Sequence, residues 1–417
     1  MSDAGSPGLK HALPPVYAAA ALRVLLPLLV LPLVAVRVGP DEFGRLSFIL
    51  IWSGLLSTLV EGGFLAAATR LAVTADATSR WRIAQQVFSA RCLLSVPALL
   101  GGWLVVATMG SGGSSDAWAI AALAVALGWP ATWYLQASQQ LARWARVEFA
   151  VYATLIAACW IFADRIAVFL ALQFAASALL AVLGWRWLRR DLQTVESLWS
   201  TPQIVPGLRL GWSMLPVSIA GAAYSLALPA AASAQLGKPE LGLYFMADRI
   251  VRAVLAAGEP VFAVVYPRIV GRLKYGNRAA ARFALRWAAG GVCAGALLYA
   301  VGVLAWSGLA GLLVHHSAGL DLSRLAGVVA ILGALLPLLL GWKFVGYWML
   351  ATGRYDRAYR VCVIVGGVVG VASAATVGGA GGANGLAWTA LAVEVVVIAV
   401  ALLGIGLTER RAVQVPD

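Results

Sequence analysis

Long apolar stretches follow one another along the whole chain, and each is ended by a short group of polar residues. A helix needs about 20 apolar residues to cross the hydrocarbon core of a membrane. The pattern predicts an all-α integral membrane protein of about 12 transmembrane helices. The predicted spans are residues 14–36, 46–68, 90–109, 117–137, 149–163, 166–185, 211–235, 241–266, 287–307, 325–350, 361–379 and 385–407.

Composition supports this class and excludes a soluble protein. Of the 417 residues, 61% are hydrophobic and only 12% are charged. A soluble domain carries about twice that charged fraction. No polar stretch is long enough to form a separate soluble domain. The first apolar run contains Arg23 and no cleavage pattern follows it, so we expect it to be an uncleaved span.

The basic residues are distributed unevenly between the loops. Of 31 Lys and Arg, 22 lie at the two ends and in the even-numbered loops, 5 lie in the odd-numbered loops, and 4 lie inside spans. Cytoplasmic loops carry an excess of basic residues, so both termini are predicted to be cytoplasmic. Topology therefore accounts for most of the net charge of +13, and no nucleic acid partner is needed to explain it.

The second span of each half of the chain shows an internal repeat. When residues 39–70 are shifted by 198 onto residues 237–268, six of 32 positions are identical. Each half has six spans, so both enter from the cytoplasm and the repeat is parallel. We therefore expect two six-helix lobes, residues 1–200 and 201–417, related by a pseudo-two-fold axis along the membrane normal.

Several spans contain charged residues, which cost roughly 2.5–3.5 kcal/mol each at a span centre and nearly always face a bundle interior or a watery cavity. In span 8, Arg249, Arg252 and Glu259 step by three or four residues with Ala256 and so share one helix face. Asp248 is four residues before Arg252 and could pair with it. The other charges considered for a site are Arg23, Lys343, Glu61 and Glu394.

Two interpretations of these charges stay open at this stage. In one, Arg23, Arg249, Arg252 and Lys343 line a cationic path for an anionic substrate, since arginine matches phosphate with paired donors. In the other, the charges form ion pairs that only hold the helices together. The acids Glu61, Asp248, Glu259 and Glu394 are candidates for counter-charges or for sites of a coupling proton or sodium ion.

No cofactor or metal site is expected. The four cysteines, Cys92, Cys159, Cys293 and Cys362, are scattered singly and most simply act as small buried apolar residues. Gly291 and Gly295 have the G-x-x-x-G spacing that lets two membrane helices approach closely.

A family resemblance adds to this picture. The chain resembles polysaccharide flippases of the O-antigen type, in the multidrug/oligosaccharidyl-lipid/polysaccharide superfamily. The matching segments are RVLLPLLVLPLVAVRVGPDEFGRLSFIL, LVEGGFLAAATR at 59–70, LGLYFMADRIVRAV at 241–254, VVYPRI at 264–269 and GANGLAWTALAVEVVVIAV at 382–400. No single motif is a catalytic signature, so the resemblance depends on the whole series in the right order.

The resemblance implies an ion-coupled flippase that works by alternating access between two lobes. Its substrate would be an undecaprenyl-pyrophosphate-linked oligosaccharide, moved from the cytoplasmic to the periplasmic leaflet of a bacterial inner membrane. Membrane lipids, a coupling H⁺ or Na⁺, a polysaccharide polymerase and a chain-length regulator are the implied partners. Related flippases carry basic residues on their first and eighth helices, where Arg23, Arg249 and Arg252 lie here.

Two other functions are possible for such a sequence. A multidrug exporter of the same superfamily is one, although cationic drugs favour an acidic cavity over arginines. A membrane polymerase or glycosyltransferase is the other, but such an enzyme needs acid, base or nucleophilic groups on sizeable outward loops. The outward loops here are short, and none carries a cluster of His, Asp and Glu.

Overall fold

The structure is a computed structural model. It describes residues 22, 29–73, 75–109, 113–138, 140–212, 214–215, 218–219, 226, 228–313, 321–374, 376 and 381–414. The regular elements of this described part are helices. It divides into two compact units, one of Met1–Val38 with Arg45–Leu226, the other of Gly39–Gly44 with Ala227–Asp417. The predicted lobe boundary at residue 200 stays a prediction.

The helices that lie largely or wholly in the first unit include two pairs separated by short breaks. Non-helical residues 62–63 separate α2 from α3, and residues 129–131 separate α5 from α6. The helices are α1 Leu29–Val38, α2 Pro40–Glu61, α3 Phe64–Ala72, α4 Ala77–Met109, α5 Ser114–Gly128, α6 Thr132–Ala137, α7 Leu141–Phe162, α8 Ile166–Asp191 and α9 Ile204–Trp212.

The second unit repeats this order, again with breaks inside two of its predicted spans. Gly258 separates α11 from α12, and Ala334 separates α14 from α15. The helices are α10 Leu228–Ala232, α11 Lys238–Ala257, α12 Glu259–Arg272, α13 Asn277–Leu313, α14 Leu322–Gly333, α15 Leu335–Thr352, α16 Asp356–Ser373 and α17 Gly382–Gln414.

The packing of the helices supports the internal repeat. In the first unit α3 packs on α6, α5 on α8 and α7 on α8. In the second unit the corresponding pairs also pack, namely α12 on α15, α14 on α17 and α16 on α17. The breaks between α2 and α3 and between α11 and α12 fall within about three residues of each other under the 198-residue shift. The repeat is therefore visible in helix order and packing, beyond the six identical positions.

An ion pair joins equivalent helices near their first turns in each unit. In the first unit Arg45 donates three hydrogen bonds of 2.6–3.0 Å to the buried carboxylate of Asp116 at the start of α5. In the second unit Glu240 accepts from Arg324 at the start of α14 and from the backbone N–H of Ala383 at 2.8 Å. The signs of the two charges are exchanged, but the connection between helices is the same.

A tyrosine and an acid join helices at the opposite end of each unit. Tyr134 of α6 donates to Asp191 at the end of α8, and Tyr355, just before α16, donates to Glu409 near the end of α17. Tyr355 lies between spans, and burial followed by its bond to Glu409 raises its pKa above the ordinary value. Both ends of each bundle are thus held by polar contacts between residues far apart in sequence.

Most predicted spans are confirmed as apolar helices. Among the described residues, eight helical segments are long and apolar enough to cross a membrane: Pro40–Glu61, Ala77–Met109, Ser114–Ala137, Leu141–Phe162, Ile166–Asp191, Asn277–Ala305, Leu322–Thr352 and Gly382–Arg410. Helices also occupy predicted spans 8 and 11, where α11 and α16 carry more charge. Most of span 1 and ten residues of span 7 lie outside the described residues. The total of twelve and the orientation in the membrane stay predictions.

Helices α13 and α15 approach each other closely at two glycines. A Cβ on Gly291 would lie 2.7 Å from the carbonyl oxygen of Leu340, and one on Gly295 would lie 2.5 Å from Cα of Pro337. Both obstacles are backbone atoms that cannot rotate away. The G-x-x-x-G spacing therefore marks a tight helix contact, as its sequence indicated.

We expect Gly291→Val to lower the free energy of unfolding by about 1–3 kcal/mol, because the side chain forces the two backbones apart. The neighbouring variant Gly290→Val is the control, since nothing lies within 4 Å of a Cβ at that position. Thermal unfolding of the two purified variants in detergent compares them directly. Equal losses of stability would contradict close packing at Gly291.

Candidate functional site

The predicted site residues fall into three groups. Arg23 lies outside the described residues. The backbone of Glu259 begins α12, but its side chain is not among those described. Glu61 lies in the first unit, whereas Asp248, Arg249, Arg252, Lys343 and Glu394 lie in the second.

Asp248 and Arg252 form an ion pair within α11. The Nε atom of Arg252 donates to both carboxylate oxygens of Asp248, each at 2.8 Å. The Asp248 side chain is only 10% exposed, while that of Arg252 is 38% exposed. One turn of helix thus supplies a neutralising partner for Arg252, as the spacing of four residues predicted.

Arg249 follows Asp248 in α11, but its guanidinium contacts an aromatic ring rather than a carboxylate. Its guanidinium stacks over the ring of Phe245 at 4.6 Å, and it makes no hydrogen bond or ion pair to any described residue. The side chain is partly exposed, so its donors can reach the space beside α11. A guanidinium stacked on a ring keeps its N–H edge free, and that edge fits a phosphate or carboxylate.

Lys343 lies on α15 with its Nζ 4.5 Å from the ring centre of Phe262 on α12. Phe262 is the residue that matches Phe64 in the internal repeat. In the first unit, Phe64 also carries a cation over its ring, namely Arg91 at 5.6 Å. Each unit therefore places a cation on the phenylalanine that follows the break in its second span.

Glu394 is buried in the middle of α17, with 3% of its surface exposed. Its Oε1 atom has no hydrogen-bond partner among the described residues, and no ion pair to it is found there. A charged carboxylate in such surroundings is strongly disfavoured. Glu394 thus differs from Glu61 and Asp248, whose carboxylates accept hydrogen bonds from described residues.

Both carboxylate oxygens of Glu61 accept hydrogen bonds from backbone amides. Its Oε2 accepts the backbone N–H of Gly63 at 2.9 Å and its Oε1 accepts that of Leu65 at 2.5 Å. These amides belong to the break and to the first turn of α3, where no helix carbonyl is available. Gly62 and Gly63 have φ values of 66° and 75°, which favour glycine. Glu61 therefore stabilises the break in the second span.

Arg91 is the residue that our interpretation of the sequence missed. It is only 1% exposed, and its Nη1 donates to the carbonyl oxygens of Trp129 and Pro130, both at 2.9 Å. These carbonyls belong to the break between α5 and α6. Since Arg91 also covers Phe64 beside the other break, one buried cation contacts both interruptions of the first unit.

Arg91 lies at the edge of predicted span 3, which starts at residue 90, and it was counted among the 22 basic residues of the ends and even-numbered loops. Helix α4 in fact begins at Ala77, so Arg91 lies near its middle. The available signal was the run VFSARCLLS, in which Arg91 is flanked on both sides by apolar and small residues.

No metal site is apparent: within the described part, no group of three or more His, Cys, Asp or Glu could hold a metal ion. The adjacent His315 and His316 lie outside that part.

We expect Arg91→Met to lower the free energy of unfolding by about 2–4 kcal/mol, because it leaves two buried carbonyls without donors. Arg82→Met, which changes an exposed arginine of the same helix, is expected to stay within about 0.5 kcal/mol of the wild type. Thermal unfolding in detergent measures both. A small effect at Arg91 would mean that other groups satisfy the break.

We expect Glu394→Leu to raise the free energy of unfolding by about 1–3 kcal/mol, because an apolar side chain of similar volume removes a buried group without partners. Glu409→Leu is the contrasting variant: Glu409 accepts from Tyr355, so its loss should destabilise the protein. If both leucine variants lose stability, Glu394 has a partner that its described surroundings do not reveal.

Comparisons with known proteins agree on the kind of molecule. A family model described as "Polysaccharide biosynthesis protein" matches residues 16–271. No curated protein sequence matches the chain. Among solved structures, the lipid II flippase MurJ in an inward closed conformation is similar, with 11% identity over 94% of this chain and 87% of that chain and a TM-score of 0.65.

Two transporters of the MOP superfamily are similar as well. An inward-facing multidrug resistance MATE transporter has 14% identity and a TM-score of 0.62, covering 94% of this chain and 95% of its own. A MOP transporter from Pyrococcus furiosus has 15% identity and a TM-score of 0.57, covering 95% and 93%. At these identities the likeness shows the fold alone.

Proposed function

The chain belongs to the polysaccharide biosynthesis protein family, and from that premise we propose that it is a flippase for lipid-linked oligosaccharides. The membership agrees with the resemblance seen in the sequence. The chain is a multi-pass membrane protein with the fold of MOP-superfamily transporters. The proposed substrate is an undecaprenyl-pyrophosphate-linked repeat unit, moved from the cytoplasmic to the periplasmic leaflet of a bacterial inner membrane by alternating access.

The free guanidinium of Arg249 is the observation that carries this proposal. A diphosphate headgroup needs cationic donors inside the membrane, where an unpaired charge is otherwise too costly to keep. Arg249 offers such donors on a partly exposed side chain. The lipid tail could stay in the bilayer while only the charged head enters the protein.

The ion pair Asp248–Arg252 is proposed to position a substrate contact rather than to supply a net charge. Its charges largely cancel, so Arg252 offers less net attraction to an anion than Arg249 does. We assign Asp248 the role of holding Arg252 in a fixed rotamer, from which its remaining donors can contact the substrate. Arg23 and Lys343 are further proposed substrate contacts, on the basis of the sequence and of the likeness to related flippases.

The proposed transport is coupled to an ion, either H⁺ or Na⁺. Glu394 is the acid best suited to take up a coupling ion, because it is buried and its Oε1 has no partner among the described residues. Glu61 accepts two backbone bonds and fits a counter-charge and capping role better. Glu259 is retained as a candidate. A polysaccharide polymerase and a chain-length regulator are the proposed functional partners.

The two alternatives predict different chemistry. A multidrug exporter for cationic compounds would need accessible acids, whereas Asp248 is paired with Arg252 and Arg249 has no ion pair to a described residue. A polymerase or glycosyltransferase would need a reactive cluster, and the similar folds are those of transporters.

We expect Arg249→Ala to reduce transport of the lipid-linked substrate about 10–100-fold at normal protein levels, since a charge-assisted contact of about 1.5–3 kcal/mol is lost. Arg249→Lys should retain part of the activity, because it keeps the charge but not the paired donors. The assay follows a fluorescent lipid diphosphate oligosaccharide in proteoliposomes. Full activity of Arg249→Ala would contradict the proposed site.

The matched variant is Arg252→Ala combined with Asp248→Ala, which removes both charges of the pair at once. We expect a smaller loss from this double variant than from Arg249→Ala, because no net charge is removed. In cells that lack the gene, complete repeat units should accumulate on the cytoplasmic face of the membrane. Unpolymerised units on the periplasmic face would instead indicate a polymerase, and truncated units a glycosyltransferase.

A further inference from the structure

The inner end of helix α13 carries a row of exposed arginines. Arg278, Arg282 and Arg286 follow one another at intervals of four residues and so share one helix face, and all three are exposed. None makes an ion pair or hydrogen bond to another described residue. We call these three residues the arginine stripe.

The stripe lies in a part of the chain that has basic residues but no acidic ones. Between Glu259 and Asp321 the sequence contains no Asp or Glu, whereas it contains six Lys and Arg. Glu409 is linked to the start of α13 through Tyr355, which donates to Glu409 and accepts from Asn277; Glu409 also lies 3.6 Å from Arg354. The stripe therefore has no counter-charge within the described part of its own unit.

The stripe continues into a lipid-facing surface. Leu285 is 58% exposed beside Arg286, and farther along the same helix Leu297 is 66% exposed and Val301 52% exposed. Helix α13 has 37 residues and is about 55 Å long, well beyond the roughly 30 Å of hydrocarbon. Its first turns thus project past the apolar core, at the level where phospholipid headgroups lie.

The equivalent helix of the first unit, α4, is covered at this end by a later segment of the chain. On α4, Trp81 donates to Glu196 at 2.7 Å, Gln85 donates to the carbonyl of Ser197 at 2.9 Å, and Ser89 accepts from the backbone of Ser200 at 2.9 Å. The segment that follows α8 thus lies over the inner end of α4 and brings an acid to it. At α13, the linked acid Glu409 is bound by Tyr355 and forms no ion pair with the arginine stripe among the described residues.

We propose that the arginine stripe binds the headgroup of an anionic phospholipid. Topology alone explains why basic residues gather at the inner ends of helices, but it requires neither their alignment on one face nor the absence of acids around them. Each phosphate would accept from neighbouring guanidinium groups one turn apart, while the acyl chains lie along the exposed apolar face of α13. This binding does not depend on what the protein transports.

The test measures lipid binding by the purified full-length protein in neutral detergent. Native mass spectrometry counts the lipids retained as phosphatidylglycerol is added, with phosphatidylcholine as the neutral comparison. The variant replaces Arg278, Arg282 and Arg286 by Gln. The matched control replaces Arg143, Arg146 and Arg186 by Gln, three exposed arginines of the first unit, and so changes the net charge equally.

We expect the wild type and the control to retain phosphatidylglycerol in preference to phosphatidylcholine. The stripe variant should bind phosphatidylglycerol at least about ten-fold more weakly, because each arginine near anionic lipid contributes roughly a five-fold factor and three are removed. All three proteins should show the same unfolding temperature without added lipid, since the stripe is exposed and has no protein partners.

Three results would overturn the proposal. Equal phosphatidylglycerol binding by wild type and stripe variant would show that the lipid binds elsewhere. Equal weakening in the control would show a general charge effect. Binding of an acidic polyglutamate peptide that depends on the stripe, without any difference between the two lipids, would assign the surface to an acidic protein segment instead.

Discussion

The hydrocarbon core of a membrane offers no partner for a backbone N–H or C=O group, so each interruption of a spanning helix must be satisfied within the protein. The first unit contains two such interruptions, and they need opposite chemistry. Glu61 accepts the free amides that follow the break at Gly62 and Gly63. Arg91 donates to the free carbonyls of Trp129 and Pro130. One partly buried acid and one buried base thus serve the backbone, and the broken helices depend on them.

The two units share helix order and packing but have diverged in the use of charge. The cation over the phenylalanine after the break comes from α4 in one unit and from α15 in the other. The second unit places Asp248, Arg249 and Arg252 on one helix, and among these Arg249 makes no hydrogen bond to a described residue. The two units share a framework, and the charges on α11 that we connect with transport belong to the second unit.

Local sequence patterns predicted much of the fold and part of the site. Hydropathy located most spans, and the spacing of Asp248 and Arg252 indicated their pair because both lie on one helix turn. The same approach misplaced Arg91, since a hydropathy window cannot show that α4 continues inward to Ala77. It also could not assign partners to Glu61, because the two amides become available only where the helix breaks. The sequence alone does not show whether a charged side chain at the end of an apolar run is surrounded by water or by protein.

The sequence by itself determined that this protein spans a membrane many times, that its halves repeat, and which family it belongs to, because these properties depend on composition and order along the chain. The tertiary structure decided which charge is neutralised and which is left free. Arg91 meets Trp129, 38 residues away, and Arg45 meets Asp116, 71 residues away. The role of a buried charge is set by the groups that packing brings within hydrogen-bond distance, and separation along the chain does not reveal them.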